Sequence, residues 1–499
     1  MSNPELSSPV FMRVPDSAEN AARCFCSTCP SFPSACKGEV LYCGKGKSDC
    51  DIVVRGCLCV TCPVDAEYRL EGLYFCNRDE IGRRKIPVRK KAAWEPQRLY
   101  QEMVNLTEIA STGRSLVCSM GSMKRLPYTF DDLHFVPAQV FRTPLEEADA
   151  VNTEIIVGPR ARRPLKASSP IMISGMSLGA TSRNVKLVIS QVAAKLRIAY
   201  NSGEGGILDE EYAAAKELII GQYTTYTDEV DQAVLRNVAA VEIRFGQGAY
   251  PGKGSYLPPN KMSNIVSETR GLNGVELSHS SAHHMGMTTP TEIKKKVSML
   301  RDSSEGIPIG AKIGCGNVEK DVHLLAEADV DFIALDGFGG ATGATELYVR
   351  ENVGIPIIAA LPRAARILKE LGCRDGVTLI AGGGLRTSAD FTKCLALGAD
   401  AVYIATAALI AINCEQYRVC HTGLCPTGVT TQLPSLAKQL NVERGVERLS
   451  NFIQVSTQEI ANLTRIVGKN DIRNLDVEDL VSMKRALATI TGTKWLNGK

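Results

Sequence analysis

Cysteine residues are the first feature of this sequence with an evident chemistry. The chain has 499 residues and 17 cysteines. Ten cysteines fall between Cys24 and Cys76, and three more form a C-x5-C-x4-C motif at Cys414, Cys420 and Cys425. The cytosol keeps thiols reduced, so clustered cysteines in a cytosolic chain indicate metal ligands rather than disulfides. The sequence therefore predicts metal centres near both ends of the chain.

The amino-terminal cysteines form an internal repeat. A C-x-C-x-x-C-P motif with a later fourth cysteine occurs twice, 33 residues apart. The predicted ligands are Cys24, Cys26, Cys29 and Cys43 in the first copy and Cys57, Cys59, Cys62 and Cys76 in the second. Four thiolates suit a [4Fe-4S] cluster or a tetrahedral zinc, and both remain open. Two further points stay open: whether the copies exchange their fourth cysteines, and whether Cys36 and Cys50 are spectators or alternative ligands.

The three carboxyl-side cysteines predict a second kind of centre. Three closely spaced thiolates suit a [3Fe-4S] cluster, or a [4Fe-4S] cluster that borrows one ligand. The alternative is a set of buried cysteines in a helix-loop segment.

Three loops of small residues could hold a phosphate group. They contain Gly382-Gly383-Gly384, Ala405-Thr406, and the segment 337–343 with Gly339, Gly340 and Thr342. Few bulky side chains stand there, so backbone amides can approach a ligand closely. No Walker lysine motif and no strand-linked G-x-G-x-x-G is present, which favours FMN over a nucleoside triphosphate or NAD.

The sequence around these loops has the pattern of repeated βα units. Short β-branched runs alternate with amphipathic helical stretches after Pro164, which predicts a parallel sheet. The candidate strands are 170–174, 198–201, 240–244, 274–277, 308–313, 331–335, 378–381 and 401–404. Eight strands over this length predict a (β/α)8 TIM barrel of the α/β class. The predicted domains are a cysteine-rich domain 1–80, a connecting segment 81–164, the barrel 165–432 and a helical tail 433–499. Within the tail, helical periodicity predicts helices over 442–463 and 477–490.

Composition excludes several other classes of protein. The net charge is only +3, which gives no argument for nucleic acid or an anionic membrane. No apolar run approaches the roughly 20 residues that cross a bilayer. The first residues lack a signal-peptide pattern, so the sequence predicts a cytoplasmic protein.

Several motifs together resemble the FMN-binding synthase domain of the glutamate synthase family. The resemblance runs from about residue 170 to 432. Its motifs are Ser174-Gly175-Met176-Ser177-Leu178-Gly179, Ser202-Gly203-Glu204-Gly205-Gly206, Gln247-Gly248-Ala249-x-Pro251-Gly252, Leu257-Pro258, His283-His284, Lys312, Thr342-Gly343-Ala344 and Arg418-Val419-Cys420-His421.

The resemblance implies a role for each matching residue. Ser174, Gly175, Met176 and Ser177 would lie against the flavin, with Glu204 and Gln247 lining the pocket. Lys312 would stabilise the anionic reduced flavin, and Arg270 would grip a substrate carboxylate. Gly382, Gly383, Gly384, Ala405 and Thr406 would hold the FMN phosphate. Glu204, Gln247, Arg270 and Lys312 are thus the candidate catalytic residues.

The resemblance also implies a reaction, the reductive amination of 2-oxoglutarate to glutamate. Tyr250 replaces a basic residue of the family, and Phe338 and Gly339 replace residues that are usually polar. An amine-exchange enzyme like N-methylglutamate synthase therefore remains an alternative, as does an electron-transfer subunit. Neither a glutaminase domain nor a dinucleotide fold is evident. Ammonia would come from solution or a separate glutaminase subunit, and electrons from ferredoxin or a redox partner subunit.

Overall fold

A computed structural model describes residues 11–32, 39–68, 70, 72–78, 83–85, 96–223, 237–257, 261–270 and 278–497. The chain divides into two compact units, Met1–Arg114 and Ser115–Lys499. Each unit is treated by itself below.

The first unit holds the cysteine repeat in short helical turns. Its helices are Ala18–Arg23, Tyr42–Lys45, Pro63–Tyr68 and Pro96–Thr112, with single 3-10 turns at Cys26–Thr28, Cys59–Thr61 and Phe75–Asn77. Two short strands, Phe11–Arg13 and Arg83–Lys85, pair antiparallel. A small core contains Leu41, Tyr42, Val64 and Phe75 together with three of the cysteines, Cys24, Cys43 and Cys62. So small a core fits a segment whose stability needs metal.

The second unit is a closed barrel of eight parallel strands. In chain order they are β1 Ile171–Ile173, β2 Tyr200–Asn201, β3 Ile219–Tyr223, β4 Ala240–Arg244, β5 Ile309–Gly314, β6 Phe332–Asp336, β7 Thr378–Gly382 and β8 Ala401–Ile404. Strand β8 pairs with β1 and closes the ring. The strands are buried along nearly their whole length, as parallel strands covered by helices must be. The predicted TIM barrel is therefore confirmed.

One of the eight predicted strands was assigned wrongly. The third barrel strand is β3, which pairs with β2 on one side and β4 on the other. The predicted strand 274–277 lies outside the described residues, and the ring closes without it. Strand β3 contains Gly221 and Gln222 between its apolar residues, which masked the β-branched signal.

Helices cover the outside of the barrel. Those that follow the strands include Arg183–Leu196, Asp209–Ala215, Pro290–Ser303, Val318–Glu327, Ile357–Glu370, Ser388–Ala396 and Thr406–Ile412. Shorter helices lie in the connections, at Asn264–Thr269, Leu347–Asn352 and Pro434–Ala437. The helix Val442–Ile466 packs against the outer helices, with Leu449, Ile453 and Ile460 fully buried.

The tail is less helical than its periodicity predicted. A helix over 442–463 is confirmed, but 477–490 is not one helix. That stretch begins with a 3-10 turn, Val477–Asp479, and continues as the strand Leu480–Ser482 before the helix Arg485–Thr491. The strand pairs with Leu133–Phe135 and with Lys494–Trp495, so sheet pairing with a distant segment overrides the local pattern.

Three further short pairings complete the second unit. Ile155–Val157 pairs with Leu165–Ala167, Val117–Cys118 with Thr345–Glu346, and Ser255–Leu257 with Ser278–Ser280. No helix within the described residues is long and apolar enough to cross a membrane.

Candidate active site

A large cavity opens at the carboxyl ends of the barrel strands. It comprises about 1650 Å³ of space, its open mouth included. Six of the eight strands contribute a lining residue at their carboxyl end or directly after it. The loops after the other two strands, β2 and β4, contribute Glu204 and Gln247. Active sites of this fold form at this end of the barrel.

The structure brings nearly all predicted site residues into this cavity. Its walls include Ser174, Gly175, Met176, Ser177, Glu204, Gln247, Arg270, Lys312, Gly340, Thr342, Gly382, Gly383, Gly384, Ala405 and Thr406. Gly339 is the exception, because it packs against Gly121 behind the wall. Cys414, Cys420 and Cys425 also line the cavity.

Lys312 supplies a positive charge inside the barrel. Its side chain rises from β5 and is 5% exposed. Its Nζ donates to Ser174 Oγ at 3.0 Å and lies 3.3 Å from an Asp336 carboxylate oxygen. The ammonium also lies 5.6 Å from the centre of the Tyr403 ring. Three strands thus fix its position.

Glu204 belongs to a buried ion pair. Its Oε2 accepts from Arg244 Nη2 at 2.9 Å, and the two side chains are 12% and 6% exposed. Ser280 donates to the other carboxylate oxygen. Arg244 ends strand β4, whereas Glu204 lies in the loop after β2. The pair therefore connects the loop after β2 to the end of β4.

Arg270 reaches the cavity from the end of the short helix Asn264–Thr269. Its Nη2 donates to the Leu178 carbonyl at 3.0 Å. Gly205 makes room for it: a Cβ at Gly205, where φ is +108°, would stand 2.7 Å from the guanidinium carbon. A guanidinium placed in this way can bind a carboxylate through two parallel hydrogen bonds.

A buried polar network lies beneath the cavity floor. Glu242 of β4 is fully buried and accepts from Asn201 Nδ2 at 2.8 Å and from the Tyr403 hydroxyl at 3.0 Å. Burial raises the pKa of Glu242, whereas the positive charge of Lys312 opposes the rise. The other amide atom of Asn201 accepts from the Gly203 amide at 2.7 Å. The network therefore links the lysine to the loop that carries Glu204.

The glycine loop after β7 is held against the loop after β6. Gly383 has φ +110°, and a Cβ there would lie 2.5 Å from the Gly337 nitrogen. The Gly337 amide donates to the Gly382 carbonyl at 2.9 Å. Beside these glycines, Thr406 begins the helix after β8 and its neighbour Ala405 lies on the cavity wall. This arrangement leaves backbone exposed to a ligand.

The three carboxyl-side cysteines share the cavity wall. The Cys414 Sγ accepts from the Gln416 amide at 3.4 Å, and the Cys425 Sγ lies 3.3 Å from Thr427 Oγ1. Buried Lys261 donates to the Cys420 carbonyl at 3.1 Å and to the Ala180 carbonyl at 2.9 Å. Burial lowers the pKa of Lys261 to about 8. The lysine thus ties the cysteine segment to the loop after β1.

Comparison with known proteins identifies the family. The model of the conserved region in glutamate synthase matches residues 101–470. The chain belongs to the glutamate synthase family. It is an FMN-dependent oxidoreductase of that family.

Two relatives span nearly the same length as this chain. A glutamate synthase large subunit-like protein of Rhizobium meliloti is 35% identical over 83% of this chain and 98% of its own. An archaeal glutamate synthase [NADPH] of Methanocaldococcus jannaschii is 33% identical over 80% of this chain and 84% of its own. A protein family of unknown function, DUF2769, matches residues 24–77, which is the cysteine repeat.

At some positions the sequence departs from the motifs of the glutamate synthase family. Tyr250, which replaces a basic residue of the family, is buried and lines the cavity. Burial raises the pKa of its phenol, so it stays neutral at physiological pH. Lys253 does not restore the lost charge, because its ammonium pairs with Glu346 and it does not line the cavity.

Sequence reasoning missed several polar residues of this glutamate synthase-type site. Gln222 was missed because its strand, β3, was missed. Arg244 and Asp336 end the strands β4 and β6, and charged residues at the carboxyl ends of barrel strands are a usable signal for a site. Tyr403 and Ser280 carried no such signal.

We predict that Glu204→Gln destabilises the barrel by about 3 kcal/mol, because it removes one partner of a buried ion pair. Denaturant unfolding of the second unit measures the loss. Glu210→Gln is the matched control: Glu210 pairs with Arg183 where both side chains are about half exposed, so about 1 kcal/mol or less is expected. Equal losses in the two variants would contradict a structural role for the Glu204 pair.

We predict that buried His284 makes stability depend on pH. Its ring stacks on Tyr223 at 5.6 Å, and its Nε2 lies 2.9 Å from the Arg244 carbonyl. Burial lowers its pKa, so its contribution is complete above the unfolded pKa of about 6.5 and is lost as the pH falls. Unfolding free energies at pH 7.5 and 5.5 should differ less in His284→Gln than in the parent. Exposed His283→Gln should keep the parental slope, and a shared slope in all three proteins would refute the assignment.

Proposed function

We propose that the chain catalyses the reductive amination of 2-oxoglutarate to glutamate. The observation that carries the proposal is a single cavity that brings together a buried lysine, an arginine, glycine-rich loops and three cysteines. Bound FMN supplies two-electron chemistry in such a cavity. The overall conversion joins 2-oxoglutarate and ammonium, takes up two electrons and two protons, and releases water.

The residues around the cavity fit FMN. Gly382, Gly383, Gly384, Ala405 and Thr406 would hold the phosphate through backbone amides, which a Cβ at Gly383 would disturb. The segment Ser174 to Ser177 would lie against the ring. Lys312 would face the ring and favour its anionic reduced form. Ser174 and Asp336 hold that ammonium in place.

The substrate would bind between Arg270 and Glu204, which line the same cavity. Arg270 would take one carboxylate of the keto acid through its fork of donors. Glu204, held by Arg244, would orient the amine and exclude water from its side of the cavity. Gln247 lines the same wall and would donate to the second carboxylate.

Electrons would arrive one at a time through the carboxyl-side cysteines. Cys414, Cys420 and Cys425 would hold a [3Fe-4S] cluster, or a [4Fe-4S] cluster with a borrowed ligand, in the wall of the flavin cavity. Within the described residues, no group of three His, Cys, Asp or Glu side chains is arranged to hold a single metal ion. The donor would be ferredoxin or a redox partner subunit, and ammonia would come from solution or a separate glutaminase subunit.

Tyr250 favours one alternative. A neutral, buried phenol in place of a basic residue changes which acid and amine the cavity accepts. An amine-exchange reaction like that of N-methylglutamate synthases replaces the amino group of glutamate with methylamine and releases ammonia, with no net reduction. It would use the same flavin cavity.

Steady-state assays separate the two reactions. Reduced ferredoxin with ammonium and 2-oxoglutarate should yield glutamate, whereas glutamate with methylamine and no reductant should yield no N-methylglutamate. The reverse pattern would replace the proposal with amine exchange. Flavin reduction by a partner with no organic product in either assay would make the chain an electron-transfer subunit.

A further inference from the structure

The two cysteine repeats adopt the same local structure. The second cysteine of each motif begins a 3-10 turn and the third cysteine follows it: the turn is Cys26–Thr28 in one copy and Cys59–Thr61 in the other. The residue two before each fourth cysteine has a left-handed backbone, with φ +67° at Leu41 and φ +58° at Tyr74. Two copies that have the same fold and pack together can exchange equivalent ligands, so that a cysteine of each copy serves the site of the other.

Contacts of Cys62 lead into the first repeat. The helix Ala18–Arg23, which ends before Cys24, packs against the helix Pro63–Tyr68, which follows Cys62, and Arg23 pairs with Glu67 at 2.6 Å. Cys24, Cys43 and Cys62 are buried in the same small core. Cys24 and Cys26 themselves are 3.1 Å apart at their sulfurs. Cys62, the third cysteine of the second repeat, thus lies with Cys24, Cys26 and Cys43 of the first repeat.

Contacts of Cys29 show the reciprocal arrangement. Its Sγ lies 3.4 Å from the carbonyl of Gly56, the residue before Cys57. Ser31, two residues after Cys29, donates to the same carbonyl at 2.6 Å. The Tyr74 amide donates to the Cys57 sulfur at 3.3 Å.

We propose that the two repeats form two interlocked metal sites that exchange their third cysteines. One site consists of Cys24, Cys26, Cys43 and Cys62, and the other consists of Cys57, Cys59, Cys76 and Cys29. The fourth cysteines stay with their own repeats, unlike the exchange in two-cluster ferredoxins.

Each site has the ligands of a [4Fe-4S] cluster. Four thiolates carry the cluster, and backbone amides directed at the sulfurs tune its potential. The surrounding side chains of Leu41, Val64 and Phe75 are buried and exclude water. The two sites adjoin, because all eight cysteines line one pocket, so an electron could pass from one cluster to the other. The assignment concerns the first unit alone and stands or falls independently of the reaction in the barrel.

Two double variants distinguish exchange from separate repeats. Both contain Cys62→Ser. In the exchanged arrangement, Cys24→Ser/Cys62→Ser damages one site, whereas Cys57→Ser/Cys62→Ser damages both. Separate repeats, and repeats that exchange fourth cysteines, predict the opposite. Iron, sulfide, zinc and FMN are counted per full-length chain after anaerobic purification.

We expect the first double variant to lose about four iron atoms relative to the parent and the second to lose about eight, with FMN unchanged in both. The opposite order would overturn the exchange. Loss of all eight iron atoms from both variants would also overturn it, because two sites must load independently. Zinc in place of iron and sulfide would overturn the cluster assignment.

Thiol alkylation of the single variant Cys62→Ser gives a readout at each residue. Metal-bound thiols resist alkylation, so exchange predicts that Cys24, Cys26 and Cys43 become reactive while Cys29, Cys57, Cys59 and Cys76 stay protected. Reactivity at Cys57 and Cys59 with protection at Cys24 would refute the exchange. The pattern is read by mass spectrometry on the full chain.

Discussion

Gly383→Val is expected to reduce FMN occupancy at least 100-fold. The residue has φ +110°, which L side chains rarely adopt, and a Cβ would stand 2.5 Å from Gly337 N and 2.6 Å from Gly337 O. The left-handed conformation costs about 1–2 kcal/mol, and the backbone contact must also be relieved. The loops after β6 and β7 would therefore separate, and with them the proposed phosphate site. Flavin absorbance per purified chain and titration with added FMN measure the effect.

Gly316→Ala is the matched control for this prediction. Gly316 follows β5 at the same end of the barrel, but a Cβ there would meet nothing within 4 Å and its backbone needs no positive φ. The control should bind FMN like the parent. Full flavin content in Gly383→Val, with a folded barrel by circular dichroism, would contradict the phosphate assignment.

Lys312→Met is expected to lower glutamate formation about 100-fold, the effect of losing one charged group that stabilises developing charge. The flavin midpoint potential should fall by about 30 mV, or about 1.4 kcal/mol for two electrons, because the anionic reduced ring loses its cation. Spectroelectrochemical titration measures the potential, and single-turnover kinetics measures the rate.

Lys312→Arg separates charge from geometry. The guanidinium keeps the positive charge beside Asp336, so the flavin midpoint potential should stay within about 10 mV of that of the parent protein. The rate of glutamate formation should fall less in Lys312→Arg than in Lys312→Met, because only the donor geometry towards Ser174 changes. An unchanged potential in Lys312→Met would show that the ammonium does not face the flavin.

The sequence predicted the second half of the barrel well. Strands β5 to β8 are apolar runs bounded by helices and glycine loops, so a local pattern sufficed to place them. The loops after β6, β7 and β8 follow directly from these strands. Lys312 and Gly383 therefore fell into the cavity as expected.

The features that were missed depend on distant contacts. Strand β3 is a strand because β2 and β4 flank it, and its Gln222 reaches the cavity only through that pairing. The strand Leu480–Ser482 likewise forms against a segment about 350 residues earlier in the chain. In the first unit, repeat spacing predicts eight cysteine ligands but does not say which cysteines share a site. The proposed pairing of Cys62 and Cys29 with the opposite repeats depends on how the two copies pack.

One anaerobic single-turnover experiment tests the central claim most directly. The protein is reduced photochemically until its flavin is fully reduced, the reductant is removed, and the protein is mixed with 2-oxoglutarate and ammonium. The account predicts that flavin absorbance returns and that at least one glutamate forms for each flavin, with no reoxidation when ammonium is omitted. A flavin that stays reduced with both substrates present would contradict the proposed reaction.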